Sequence, residues 1–165
     1  MPSRLQFLRA TCAVSCAAFV VLAHADEAAD CATAAGTYLT GVVVAAPTFQ
    51  RGSKLHGVEL SHTHIRLVGD TGAKHYDIAV DDVYASGYLP HHEVVPAPLN
   101  QIRVGDRLSL CGIPYRGGMH WVHANCGDKP TPQDPDGWLK VIAKDGTVGP
   151  NLEAGTTYCY LWPRK

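Results

Sequence analysis

Glycine and proline punctuate this chain so closely that no long helix fits between them. From Gly36 onward, apolar residues fall at alternate positions in short runs or in brief β-branched clusters, and nowhere do they recur at helical spacing. Pro90, Pro96 and Pro98 exclude a long helix even from Asp81 to Gln101, where the alternation lapses. A short helical turn near Asp82-Val83-Tyr84-Ala85, followed by an extended loop, is expected there.

What remains is a set of short strands. Val42-Val43-Val44 favours a strand over Tyr38 to Ala46, which Pro47 stops. Val58 to Val68 ends in alternation, with Ile65 and Leu67 on one face and His62, His64 and Arg66 on the other. Gly69-Asp70-Thr71-Gly72 is turn chemistry, and Lys74 to Val80 resumes the alternation, so the two runs form a predicted hairpin. A second hairpin runs from Leu108 to Tyr115, turns at Gly117-Gly118 and returns through Met119 to Cys126. Further strands are expected over Trp138 to Ala143 and the aromatic run Thr157 to Trp162. Five to seven short strands joined by long loops predict an all-β fold, a small OB-like barrel.

The first 25 residues read as an export signal. Arg4 and Arg9 precede an apolar stretch from Thr11 to Ala23, which leads into the small-residue cleavage pattern Ala23-His24-Ala25. Residues 26–35 then form a polar, alanine-rich tail or single turn, and residues 36–165 a single domain. The apolar stretch is too short to span a bilayer, which takes about 20 apolar residues, and no later segment approaches that. Cys12 and Cys16 lack the surroundings of a lipoprotein acceptor, so no membrane anchor is expected. The destination is the periplasm or the exterior.

Removal of the signal leaves Cys31, Cys111, Cys126 and Cys159. In an oxidising compartment four cysteines imply two disulfides, and three pairings exist. Cys111 with Cys126 is favoured because the two flank the second hairpin, and Cys31 with Cys159 because the pair would tie the chain ends. The remaining 12 Lys and Arg against 15 Asp and Glu give a net charge of −3 with histidine neutral. That charge, with Arg66, Arg103, Arg107 and Arg116 scattered, predicts no generic binding to nucleic acid or anionic membrane.

Eight histidines survive export, and imidazole suits zinc and copper. His62 and His64 lie two apart on a strand and share a face. With His75 across the hairpin, or with His56 or the His91-His92-Glu93 loop, they are the candidate ligands of a divalent metal. His120 and His123 are three apart, which in a regular strand puts them on opposite faces. A bulge at Trp121 or Val122 is needed to bring them together. Asp136 and Trp138 follow shortly after and complete a candidate binding surface of His120, Trp121, His123, Asp136 and Trp138. No Gly-x-Ser-x-Gly elbow, phosphate-cradling glycine loop or Cys-x-x-Cys pair is present.

Gly52-Ser53 with His56, Val104-Gly105-Asp106, Gly117-Gly118 leading to His120-Trp121 and His123, and Asp136-Gly137-Trp138-Leu139 together resemble a family of exported bacterial proteins known as domain of unknown function 3465. The resemblance spans roughly Gly52 to Leu139. It implies an OB-type barrel and an exported location, and no activity. Where the family pattern continues with a further histidine and an aspartate, this chain has Ala124 and Asn125.

The function expected from these features is that of an exported, monomeric binding or accessory module without catalysis of its own. Its partner would be a small ligand, a sugar or a protein, and no cofactor is firmly implied. The competing expectation is a metal-dependent, nuclease-like hydrolase that uses the histidines.

Overall fold

The computed structural model describes residues 26–162, so the export signal expected over the first 25 residues lies outside the described residues. The strands are β1 (Thr37–Val43), β2 (Thr48–Gln50), β3 (Lys54–Leu55), β4 (Val58–Glu59), β5 (His62–Gly69), β6 (His75–Asp81), β7 (Arg107–Tyr115), β8 (Gly118–His120) and β9 (Trp138–Ile142). β1, β5 and β6 form an antiparallel meander, β8 lies parallel to β6 and antiparallel to β7, and β7 pairs with β1 to close the ring. Counted in chain order, the five barrel strands close as first, second, third, fifth, fourth and back to first. This is the Greek-key order of an OB barrel. β2 extends the sheet beside β5 and β9 beside β7, while β3 and β4 make a separate small hairpin. His56 and Gly57 both have positive φ at its tip, as a two-residue turn of the primed type requires.

The alternation read from the sequence decides what faces inward. Ile65 and Leu67 of β5, Ile78 and Val80 of β6, Leu108 and Leu110 of β7 and Met119 of β8 fill the barrel, joined by Val122, Leu139, Leu99 and Ile102. The opposite faces of β5 and β6 carry His62, His64 and Arg66 beside Asp77 and Asp81. The 3₁₀ turn Asp82–Tyr84 follows β6 directly, and its Val83 and Tyr84 are buried in a second small core with Val58, Tyr88 and Leu161.

Three expectations are corrected. Residues 26–33 form a helix, α1, rather than a tail or a single turn. Its alanines favour helix, Ala35 ends it with φ 61°, and Lys140 Nζ and Ser109 Oγ hold Glu27 by donating to its carboxylate at 2.9 and 3.0 Å. The aromatic run Thr157 to Trp162 forms no strand. Cys159–Leu161 is a 3₁₀ turn instead, with Trp162 N–H donating to the Cys159 carbonyl at 3.1 Å. The third correction concerns the disulfides, which are Cys31–Cys111 and Cys126–Cys159. Cys111 and Cys126 do not pair, because Ile113 faces His120 and Tyr115 faces Gly118. Continuing that register would set Val122 opposite Cys111, and the chain leaves the ladder before Cys126 is reached. α1 instead crosses β7 where Cys111 lies between Tyr38 and Trp138 of its neighbouring strands, which brings Cys31 to it. Cys126 is left to the C-terminal turn.

No helix among the described residues is long and apolar enough to cross a membrane.

Candidate functional site

Asp81 is the hub of the site. As the last residue of β6, it lies opposite His62 on β5, whose Nε2 meets Asp81 Oδ1 at 2.9 Å. Its second oxygen faces His123 Nε2 at 3.4 Å, and His123 Nδ1–H donates to the Ala124 carbonyl at 2.9 Å. Burial by itself would raise the Asp81 carboxyl, but the hydrogen bonds from His123 and His62 outweigh it and hold Asp81 far below the usual carboxylate range. The same bond to Asp81 raises His62 above the ordinary imidazole value despite partial burial. His120 shifts the other way, because burial disfavours its charged form.

His123 reaches Asp81 because the strand stops. Trp121 adopts φ 56°, which ends β8 at His120 and breaks the two-residue alternation that would have sent His120 and His123 to opposite faces. The break does the work assigned to a bulge. Gly137 packs against it, and a Cβ there would lie 2.6 Å from the Trp121 carbonyl oxygen and 2.4 Å from that of Cys111.

The result is a continuous row of six rings. Tyr115 meets His120 at 5.7 Å between centroids, His120 meets Trp121 at 6.1 Å, and Trp121 meets His123 at 5.9 Å. His123 stacks on Tyr84 at 3.7 Å with planes 5° apart, and Tyr84 on Trp162 at 5.7 Å. The middle of the row is buried, while Tyr115 is 41% and Trp162 38% exposed at its ends. Replacing Tyr84 by leucine removes both stacks while keeping an apolar side chain. A loss of about 1 kcal/mol is expected in urea unfolding, with a change in the imidazole NMR signals of His123.

Beneath the row lie two further acids. Asp82 is fully buried and accepts hydrogen bonds from Ser61 Oγ at 2.7 Å and Thr63 Oγ1 at 2.5 Å. Burial raises its carboxyl against these donors. Glu153 is also fully buried, and neither of its carboxylate oxygens has a partner among the described residues. Burial first, then Asp82 and Asp81, push it well above the usual range.

The sequence-derived candidates divide accordingly. His120, Trp121 and His123 stand together in the row. Asp136 serves the backbone, its Oδ1 accepting from Asn125 N–H at 3.2 Å. Trp138 is 7% exposed, donates its indole N–H to Ser109 Oγ at 3.2 Å and lies under Lys140 Nζ at 4.2 Å, so it belongs to the packing around Cys31 and Cys111. Asp136 and Trp138 line a separate cleft of about 480 Å³ beside α1.

Among the metal candidates, His62 and His64 share a face but turn to different carboxylates, His64 Nδ1 lying 2.9 Å from Asp77 Oδ2. His75 pairs with Val68, six residues along β5 from His62, or about 20 Å. The hairpin register therefore separates the proposed third ligand from the pair. Among the described residues, no group of three or more His, Cys, Asp or Glu side chains is arranged to hold a metal ion.

The site residues that lie outside the sequence-derived candidates are Asp81, Asp82, Tyr84, Tyr115, Glu153 and Trp162. Asp81 was open to detection, since it continues the outward series His75, Asp77, Ala79 on β6 and falls opposite His62 once the hairpin is paired. Comparison with protein families, with curated proteins and with solved structures finds no match for this chain.

Proposed function

We propose that the protein is an exported binding module, periplasmic or secreted, monomeric and without catalysis of its own, which takes its ligand on the ring row. Membership of the exported family it resembles is part of the same proposal. The observation that supports it is the row itself. Its centre is locked by the Tyr84–His123 stack and by Asp81, and its partly exposed end at Tyr115, His120 and Trp121 offers apolar faces beside hydrogen-bonding groups. Rigid aromatic faces with a few fixed polar groups are what a small-ligand surface needs. The two disulfides support an oxidising compartment.

A second reading is a hydrolase of nuclease type, with or without a divalent metal. One observation favours it: the carboxylate of Asp81 lies between two imidazole Nε2 atoms.

Titration of the untagged mature protein with a panel of oligosaccharides, peptides and amines, followed by tryptophan emission and calorimetry, tests the first against the second. The expected result is binding that weakens at least tenfold in Trp121→Ala, and no turnover of phosphodiester or ester substrates with zinc or magnesium added. Turnover that falls in His62→Ala overturns the non-catalytic reading, and a panel without any binder overturns the ligand surface.

A further inference from the structure

We propose that the corner formed by Tyr115, His120 and Trp121 binds an alkylammonium group, a quaternary or methylated amine, with Asp77 as its counter-charge. The inference rests on the binding-module reading and names the ligand class of the same surface.

Four strand positions build the corner. Asp77 of β6 lies beside Gly118 of β8, which faces Tyr115 of β7, so the three residues line up across adjacent strands. Gly118 has no side chain, and that absence lets Tyr115 lie over it. A Cβ at Gly118 would sit 2.5 Å from the Tyr115 hydroxyl oxygen and 2.0 Å from the Asp77 carbonyl oxygen. Tyr115 reaches across this floor and donates to the Asp77 carbonyl at 2.9 Å, with its hydroxyl 3.3 Å from Asp77 Oδ2. His120, two residues beyond Gly118, rises from the same face of β8.

The ring planes differ sharply from the stack at the other end of the row. Tyr115 and His120 are inclined at 79°, and His120 and Trp121 at 66°. Near-perpendicular rings about 6 Å apart make walls, and the face of an aromatic ring attracts a cation through its quadrupole. Asp77 stands at the open side with its side chain 40% exposed, sharing Oδ2 with His64. Burial keeps His120 below the ordinary imidazole value, so at neutral pH the wall carries no opposing charge. A bare calcium or magnesium ion would find one carboxylate where it needs several oxygens, and no group of three His, Cys, Asp or Glu side chains among the described residues is arranged to hold a metal ion. A weakly hydrated organic cation needs only one carboxylate and the rings. The net negative charge of the mature chain acts in the same direction.

The test uses choline and N-trimethyllysine as probes and 3,3-dimethylbutan-1-ol as the neutral isostere of choline, titrated into the mature protein by calorimetry and tryptophan emission. Choline or trimethyllysine is expected to bind at least tenfold more tightly than the neutral alcohol, and more weakly as salt is raised. Trp121→Ala and Tyr115→Ala should each lose at least tenfold, and the isosteric Asp77→Asn several-fold, in variants whose thermal unfolding shows them folded. Equal binding of the neutral isostere overturns the cation assignment and leaves the ring surface standing. So does binding of another panel compound at these rings while both amines fail. Absence of any compound at the rings overturns both this inference and the binding-module reading.

Discussion

Replacing Cys31 and Cys111 together by alanine is expected to remove about 4 kcal/mol of stability, measured as the shift in urea unfolding at constant slope. The two residues are 80 apart in sequence and both are fully buried. In the chain-entropy treatment a loop of that length contributes roughly 4.5 kcal/mol by restricting the unfolded chain, against roughly 3.7 kcal/mol for the 33-residue separation of Cys126 and Cys159. Either figure is a large share of the 5–15 kcal/mol by which a domain is ordinarily stable. The two losses differ in kind as well as size. Cys31–Cys111 ties α1 to the barrel wall, whereas Cys126–Cys159 ties the loop after β8 to the turn that carries Trp162 onto Tyr84. Loss of the first should leave the ring row in place in any molecule that remains folded, and loss of the second should free the Trp162 end of it. A cost below about 1 kcal/mol for the first pair would contradict the stabilisation attributed to closing the 80-residue loop.

Glu153→Gln is expected to stabilise the protein increasingly as pH rises. The fold raises the Glu153 carboxyl well above its unfolded value of 4.5, by burial first and then by Asp82 and Asp81. Between the two values the unfolded chain has ionised while the folded chain still holds its proton. The stability present below the unfolded value is therefore lost as pH rises through the folded one. Each unit of that gap corresponds to about 1.4 kcal/mol. Glutamine keeps the shape and cannot ionise, so the variant escapes this loss. The difference in unfolding free energy between variant and wild type should be smallest near pH 4 and grow in the variant's favour as pH rises toward the alkaline end. Taking the difference cancels the separate contribution of His62, which is raised in both proteins. A flat difference across pH would contradict the burial of an unpartnered carboxylate.

Much of the barrel was legible because it obeys a period of two. The inward positions of β5 and β6, the outward His62, His64 and Arg66, the tight turn at Gly117 and the 3₁₀ turn after Asp81 all follow from alternation and turn chemistry. What was not legible depended on departures from that period or on contacts distant in sequence. Trp121 takes a left-handed conformation without being glycine, so nothing in its identity announces the end of β8. That one residue decides that His123 reaches Asp81, whereas the β7–β8 register already sets Val122, not Cys126, toward Cys111. Thr157 to Trp162 has strand composition, but a disulfide and ring packing at the barrel end hold it as a turn. Composition records neither.

Trp138 shows the opposite error. Its proximity in sequence to the histidines suggested a surface role, and the β7–β9 ladder placed it opposite Cys111 instead. Asp81 continues the outward alternation one residue past Val80, where the run of alternation in the sequence ends, and its place opposite His62 follows only from the β5–β6 register.

The ring row as ligand surface is tested most directly by residue-resolved NMR of the mature protein, titrated with the first compound that quenches its tryptophan emission. Shifts are expected at the Trp121 indole N–H and at Tyr115, Gly118, His120 and His123, weakening with distance along the row. Shifts centred instead on Asp30, Asp136 and Trp138 in the cleft beside α1 would contradict a ligand surface on the row.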